Sequence, residues 1–177
     1  MFSLIVGGAA SGKSGHAENL VLSLAGQRVY VATMEPWDEE CLARIERHRT
    51  RRAGYGFQTR ECYRDLAALD VPADANVLLD CLGNLLANEL YDSGGMVRDD
   101  RVKRTAEGVL RLRDRCRNLT VVSNEVCLAG TTYEGDTLPY LRALAHVNRA
   151  LAAEADYVCE VVCGLPNVLK GGVPCMR

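Results

Sequence analysis

The alternation of segments along this chain predicts an α/β fold, a mostly parallel sheet with helices on both faces. Short apolar runs alternate with longer helical patterns, as successive βαβ units require. The first run, Phe2-Ser3-Leu4-Ile5-Val6, leads straight into Gly7-Gly8-Ala9-Ala10-Ser11-Gly12-Lys13-Ser14. That stretch fits G-x-x-x-x-G-K-[ST], a turn whose backbone N–H groups and following helix dipole converge on a polyphosphate. The expectation is a RecA-like phosphate-loop fold in a single domain over residues 1–177, long enough to bury a core without metal or disulfide support.

Taken in order, strands are expected at Ser3 to Val6, Arg28 to Ala32, Gly56 to Thr59, Asn76 to Asp80, Leu119 to Ser123 and Tyr157 to Cys163. Helices are expected at Lys13 to Ala25, Asp38 to Arg52, Tyr63 to Leu69, Leu82 to Tyr91, Arg101 to Arg117 and Leu138 to Glu154. Right-handed crossovers then bring the ends of the first, second, fourth and fifth strands to one carboxyl edge, where open sheets bind ligands. Gly, Asp and Thr make Asp92 to Asp100 and Thr131 to Thr137 the most loop-like stretches, and the tail from Gly164 onward also reads as loop. None has the composition of an interdomain linker.

In this frame Lys13 reaches the β- and γ-phosphates of a nucleotide and Ser14 holds Mg²⁺ through its hydroxyl, which points to phosphoryl or nucleotidyl transfer. Val77-Leu78-Leu79-Asp80 is an apolar run ending in a carboxylate, and Asp80 is either the partner of Ser14 at Mg²⁺ or a turn or helix-capping residue. The helix from Asp38 carries Arg44, His48, Arg51 and Arg52, with Arg44, His48 and one later arginine on one face. Such a stripe is either a solvated surface or a working one, in which neutral imidazole attacks a nucleotide phosphorus while arginines neutralise its oxygens. Histidine suits the second task because its nitrogen is nucleophilic near neutral pH and leaves readily once protonated. Glu61 after the third strand and Asn124-Glu125 after the fifth put carboxylates near the same edge, as ribose or base-catalysis groups or as helix caps. Asn124-Glu125-Val126 is not the Asn-Lys-x-Asp signature that reads guanine, which disfavours a switch GTPase.

A net charge of −2 and a pI near 5.9 provide no general basic field, so the expected partner is a small molecule and not nucleic acid. Cys41, Cys62, Cys81, Cys116, Cys127, Cys159, Cys163 and Cys175 contain no Cys-x-x-Cys and no zinc-type cluster. With a strand where a signal peptide would begin, they read as reduced thiols of a soluble, cytoplasmic protein. No apolar run approaches the length of a membrane span.

Several further segments occur in a fixed order with the phosphate loop: Tyr30-Val31-Ala32-Thr33, Ala43-Arg44-Ile45-Glu46-Arg47-His48-Arg49 with Arg52, and Thr59-Arg60-Glu61. They continue through Leu78-Leu79-Asp80-Cys81-Leu82 with Asn88, Ser123-Asn124-Glu125-Val126, and Val147-Asn148-Arg149-Ala150-Leu151-Ala152 leading to Ala155-Asp156. Over nearly its whole length the chain thereby resembles the bifunctional adenosylcobinamide kinase/adenosylcobinamide-phosphate guanylyltransferase family of cobalamin biosynthesis. It departs from the family pattern at Ala10, where Arg is usual, just after Arg52, and from Cys127-Leu128-Ala129-Gly130 through Leu138 to Ala145.

The resemblance implies that Gly7 to Ser14 bind nucleotide phosphates and that His48 is guanylylated before GMP passes to adenosylcobinamide phosphate. It implies nucleotide contacts from Ala32, Thr33, Met34, Arg49, Thr50, Arg51, Arg52, Glu61 and Asp80, with Mg²⁺ on Ser14 and Asp80. It further implies GTP and ATP as nucleotides, adenosylcobinamide and its phosphate as substrates, and a homotrimer. Lys13 and His48 are then the catalytic residues. Two other readings remain at this stage: a kinase of another small alcohol in which His48 is a surface residue, or a nucleotide-binding regulatory subunit without turnover.

Overall fold

The computed structural model describes residues 1–91, 99–126 and 137–172. Strands β1 (Phe2–Gly7), β2 (Arg28–Ala32), β3 (Phe57–Glu61), β4 (Asn76–Asp80), β5 (Asn118–Asn124), β6 (Tyr157–Val162) and β7 (Leu165–Lys170) form one sheet in the order β3-β2-β4-β5-β1-β6-β7. Every pairing is parallel except β6 with β7. The mostly parallel α/β sheet is the expected fold class, and β5 lies between β1, which leads into the glycine-rich loop, and β4, which ends in Asp80.

The helices are α1 (Lys13–Leu22), α2 (Glu39–Arg52), α3 (Leu82–Leu90), α4 (Asp99–Arg115) and α5 (Thr137–Glu154). Period-two alternation in the strands feeds two cores, one on each face of the sheet. Ile5, Leu78 and Val122 pack with Ala17, Leu20 and Val21 of α1. Leu4, Leu79 and Val121 point the other way, against Leu85 and Leu86 of α3, Val109 and Leu112 of α4, and Leu144 and Val147 of α5. Each fully buried Leu, Ile or Val among them contributes about 1.5–3 kcal/mol of burial free energy.

Two expected elements differ. The helix expected over Tyr63 to Leu69 is only a single 3-10 turn, Leu66–Ala68. Asp65 sits in the left-handed region at φ 48°, which ends any regular helix through it, and its N–H donates to Glu89 at 2.6 Å. The tail expected to be loop from Gly164 instead forms β7. Cys163 and Gly164 are both at positive φ, 52° and 80°, and Val162 pairs with Leu165, which makes a two-residue hairpin turn of the kind that matches strand twist. Smaller shifts extend helix into the expected loops: Asp99 and Asp100 begin α4, and Thr137 begins α5. The expected loop residues 92–98 and 131–136, and with them Cys127 and Cys175, lie outside the described residues. Among the described residues the cysteines are all free thiols, and no helix is long and apolar enough to cross a membrane.

Candidate active site

Strand β1 ends at Gly7, and the chain then turns tightly into α1. A Cβ at Gly7 would lie 2.7 Å from the Val161 carbonyl oxygen, so only glycine fits there. Gly12 has φ +91°, and a Cβ on it would lie 3.2 Å from Gly164 Cα. The loop is anchored at both ends, because Glu125 N–H donates to Gly7 O at 2.9 Å and Gly164 N–H donates to Ser11 O at 2.8 Å. The β6–β7 turn therefore buttresses the loop. Lys13 is buried and folds its Nζ back onto Gly8 O at 3.0 Å. Burial pushes its ammonium below the usual range, Asp80 pulls against that, and Arg44 adds to it.

Asp80, at the end of β4, joins three side chains. Ser14 Oγ donates to Oδ1 at 3.4 Å, and the Tyr30 hydroxyl of β2 donates to Oδ2 at 3.2 Å. His48 Nδ1 of α2 lies 3.7 Å from the same Oδ2, within ion-pair range but beyond a hydrogen bond. Burial, and then Asp80 itself, push the Tyr30 hydroxyl far above the usual phenol range, so it remains a donor. The Asp80–Cys81 peptide bond is cis, and Cys81 is gripped through both backbone groups by Thr33 Oγ1, which donates to its carbonyl at 2.8 Å and accepts from its N–H at 2.9 Å. Burial pushes the Cys81 thiol up to about 11.

Helix α2 opens on Asp38, whose side chain accepts from Cys41 N–H at 2.7 Å, with Glu39 and Glu40 in the first turn and Arg49, Arg51 and Arg52 in the last, an arrangement that complements the helix dipole. Its inner face presents Arg44, Ile45, His48, Arg51 and Arg52 to the loop. The Arg52 guanidinium lies 3.4 Å above the centroid of the Tyr30 ring, and its Nη1 is buried without a partner. Burial lowers the His48 pKa below its usual value, helped by Arg51, Arg52 and Arg44 and opposed by Asp80. The imidazole is therefore kept neutral near neutral pH, and its Nδ1 is buried with no hydrogen-bond partner.

These groups enclose a cavity of about 400 Å³. Of the residues singled out from sequence, Ala10, Ser11, Gly12, Lys13, Ser14, Ala32, Thr33, Met34, Arg51, Arg52, His48 and Asp80 line it. Gly7, Gly8 and Ala9 belong to the same loop but do not line the cavity, and Gly8 and Ala9 are exposed. Arg49 and Thr50 are exposed and do not line it, and Arg49 pairs with Glu46 instead. Glu61 ends β3 beside Ala32, accepts from the Tyr63 hydroxyl at 2.9 Å, and also lies outside the lining. Sequence reasoning missed the contact of Tyr30 with Asp80 and the place of Asn84 in the lining. Tyr30 reads as an ordinary strand aromatic; it pairs with Leu78 in the β2–β4 register, two residues from Asp80 on the neighbouring strand, and only the hydrogen bond of its hydroxyl shows that it meets Asp80. Asn88 and Asn148, noted only by resemblance, prove to be struts: Asn88 Nδ2 donates to Thr33 O at 2.8 Å, and Asn148 accepts from Ser123 Oγ at 2.7 Å and donates to Asn124 O at 3.2 Å.

A parallel α/β sheet with a phosphate-type loop, a carboxylate on a neighbouring strand tip and a neutral imidazole among arginines is the framework of a nucleotide-using transferase. Comparison with known proteins makes the class specific. Residues 3–169 match the model of the cobinamide kinase / cobinamide phosphate guanyltransferase family. The chain is 35% identical, over 96% of its length and 100% of the relative's, to the bifunctional adenosylcobalamin biosynthesis protein CobU of Salmonella typhimurium. It is 34% identical to CobU of Escherichia coli over the same shares, and 32% identical to CobP of Pseudomonas aeruginosa over 97% of this chain and 98% of that one. The chain belongs to the cobinamide kinase / cobinamide phosphate guanyltransferase family, and with it to the enzymes of cobalamin biosynthesis.

Proposed function

We propose that this one cavity serves both reactions of the family: phosphorylation of the adenosylcobinamide hydroxyl, and transfer of GMP from GTP to adenosylcobinamide phosphate through His48. The observation that carries this reading is that Lys13 of the loop and His48 of α2 face the same cavity. For the kinase reaction, the loop N–H groups and Lys13 hold the β- and γ-phosphates of ATP or GTP while the substrate hydroxyl attacks the γ-phosphorus; the bond to the β,γ-bridging oxygen breaks, the nucleoside diphosphate leaves, and the hydroxyl proton passes to solvent. For the second reaction, His48 turns Nδ1 toward Asp80, so a proton on Nδ1 leaves the Nε2 lone pair free. Nε2 attacks the α-phosphorus of GTP; a P–N bond forms, the bond to the bridging oxygen breaks, and pyrophosphate leaves. The phosphate oxygen of adenosylcobinamide phosphate then attacks the same phosphorus, and the imidazole departs. Arg52 and Arg44 stabilise the charge developing on the phosphoryl oxygens, an effect worth about 2–4 kcal/mol per group.

Ser14 Oγ and Asp80 Oδ1, 3.4 Å apart, suit Mg²⁺, which takes hard oxygen ligands and needs only one or two from protein beside water and phosphate. When bound, Mg²⁺ supplies charge neutralisation on the triphosphate. We further propose a homotrimer or other closed homo-oligomer, supported by the exposed Leu165, Val168 and Leu169 of β7 at the sheet edge, a surface that soluble proteins usually cover. Light scattering on the purified chain tests this.

The catalytic reading is tested by incubating the protein with adenosylcobinamide, ATP, GTP and Mg²⁺ and identifying the corrinoid products by mass. Sequential appearance of the phosphate and the GDP-linked product is expected. Phosphate alone would favour a kinase-only enzyme, and tight GTP binding without product would favour a regulatory subunit.

A further inference from the structure

The helix that carries His48 has an unusual attachment. Of the 14 residues of α2, Arg52 alone is buried, and none belongs to either hydrophobic core. Its hold on the rest of the molecule is polar, and the closest contact in it runs to α1: Arg51 Nη2 donates to Glu18 Oε1 at 2.7 Å. The Glu18 side chain is only 3% exposed, while that of Arg51 is 44% exposed. A carboxylate so deeply buried is kept only where it has a partner.

The positions of the two residues give the contact a purpose. Glu18 lies four residues after Ser14, so both project from one face of α1, a turn apart. Arg51 lies three residues after His48, on one face of α2. The ion pair therefore joins the helix that begins in the phosphate loop to the helix that bears the imidazole, one turn from the working group on each. We propose that Glu18 is a positioning residue for nucleotidyl transfer, its buried carboxylate clamping Arg51 and thereby holding α2, with His48, over the phosphate loop. The proposal rests on the reading of His48 as the nucleophile.

The clamp is tested with Glu18→Gln, with Arg51→Gln approaching the same contact from its exposed side, and with the double variant, all in the full chain. The rate of GMP attachment to the protein at saturating GTP is expected to fall about tenfold or more in each single variant, since a displacement near 1 Å of a reacting group costs up to about a hundredfold. The double variant should lose no more than the worse single one, the mark of two residues acting through one contact. In Glu18→Gln the KM for GTP should stay within about twofold, because positioning changes the chemical step more than binding. Hydrogen exchange should show faster exchange over residues 39–52 of Glu18→Gln and unchanged protection in α1. Attachment rates within twofold of wild type, additive losses in the double variant, or a parallel fall of kinase activity, attachment and Tm would overturn the clamp. Should the wild type itself take up no GMP, the His48 reading fails on its own, and the exchange experiment still decides the clamp: unaltered protection of α2 rejects it.

Discussion

The phosphate loop rises from β1, whose Leu4 and Ile5 are fully buried on opposite faces of the sheet, whereas α2, across the cavity, places no residue in either core. One wall of the site is fixed by close packing, which tolerates little displacement. The other is held by an ion pair, a guanidinium over an aromatic ring and a carboxylate near an imidazole. The first wall is also tied by backbone hydrogen bonds from Glu125 to Gly7 and from Gly164 to Ser11. The second depends on charge for its attachment. On the reading proposed above this division suits two reactions, with the loop serving both and the imidazole only one.

The largest effect is expected where the two walls meet. Lys13→Ala should abolish both reactions, a loss of roughly 10³-fold or more in kcat/KM, since it removes the cation over the transferred phosphates. His48→Ala should eliminate GMP transfer and leave a measurable kinase rate; equal loss of both in a folded protein would contradict the separate role given to α2. For stability the contrast runs the other way. Leu79→Ala, at a fully buried position under the fixed wall, should cost about 2–5 kcal/mol in denaturant unfolding. Leu42→Ala, at 53% exposure on α2, should stay within about 0.5 kcal/mol. The smallest effect is in pH. Because burial and the neighbouring arginines lower the His48 pKa, its neutral, attacking form persists below the usual 6.5, so the acid limb of the GMP-attachment rate should have its midpoint below that value. A midpoint above it would mean that Asp80 outweighs burial.

The fixed wall was largely legible in the chain. The strand, the glycines and Lys13-Ser14 form a local pattern whose physics is the same wherever it occurs, and Val77 to Asp80 is a run whose end must reach the same sheet edge. The helix with His48 was legible as a basic stripe, but which way it faced was not. Spacing places Arg44 and His48 on one side of α2 without saying whether that side meets water or a cavity, and the polar anchors that decide it lie far off in sequence, Tyr30 being 22 residues from Arg52 and Glu18 33 residues from Arg51. Asp80 is similarly non-local: its Tyr30 partner lies on the neighbouring strand β2, 50 residues away in sequence. The hairpin at Cys163-Gly164 escaped notice because its turn lacks the usual Asn-Gly or Asp-Gly pair, although both residues adopt the positive φ such a turn requires.

The most direct test of the account is intact-protein mass spectrometry after incubation with GTP and Mg²⁺, comparing wild type with His48→Ala. A mass increase of one GMP is expected on the wild type and none on the variant. A folded, GTP-binding wild type that gains no mass, or a variant that gains the same mass, would contradict it.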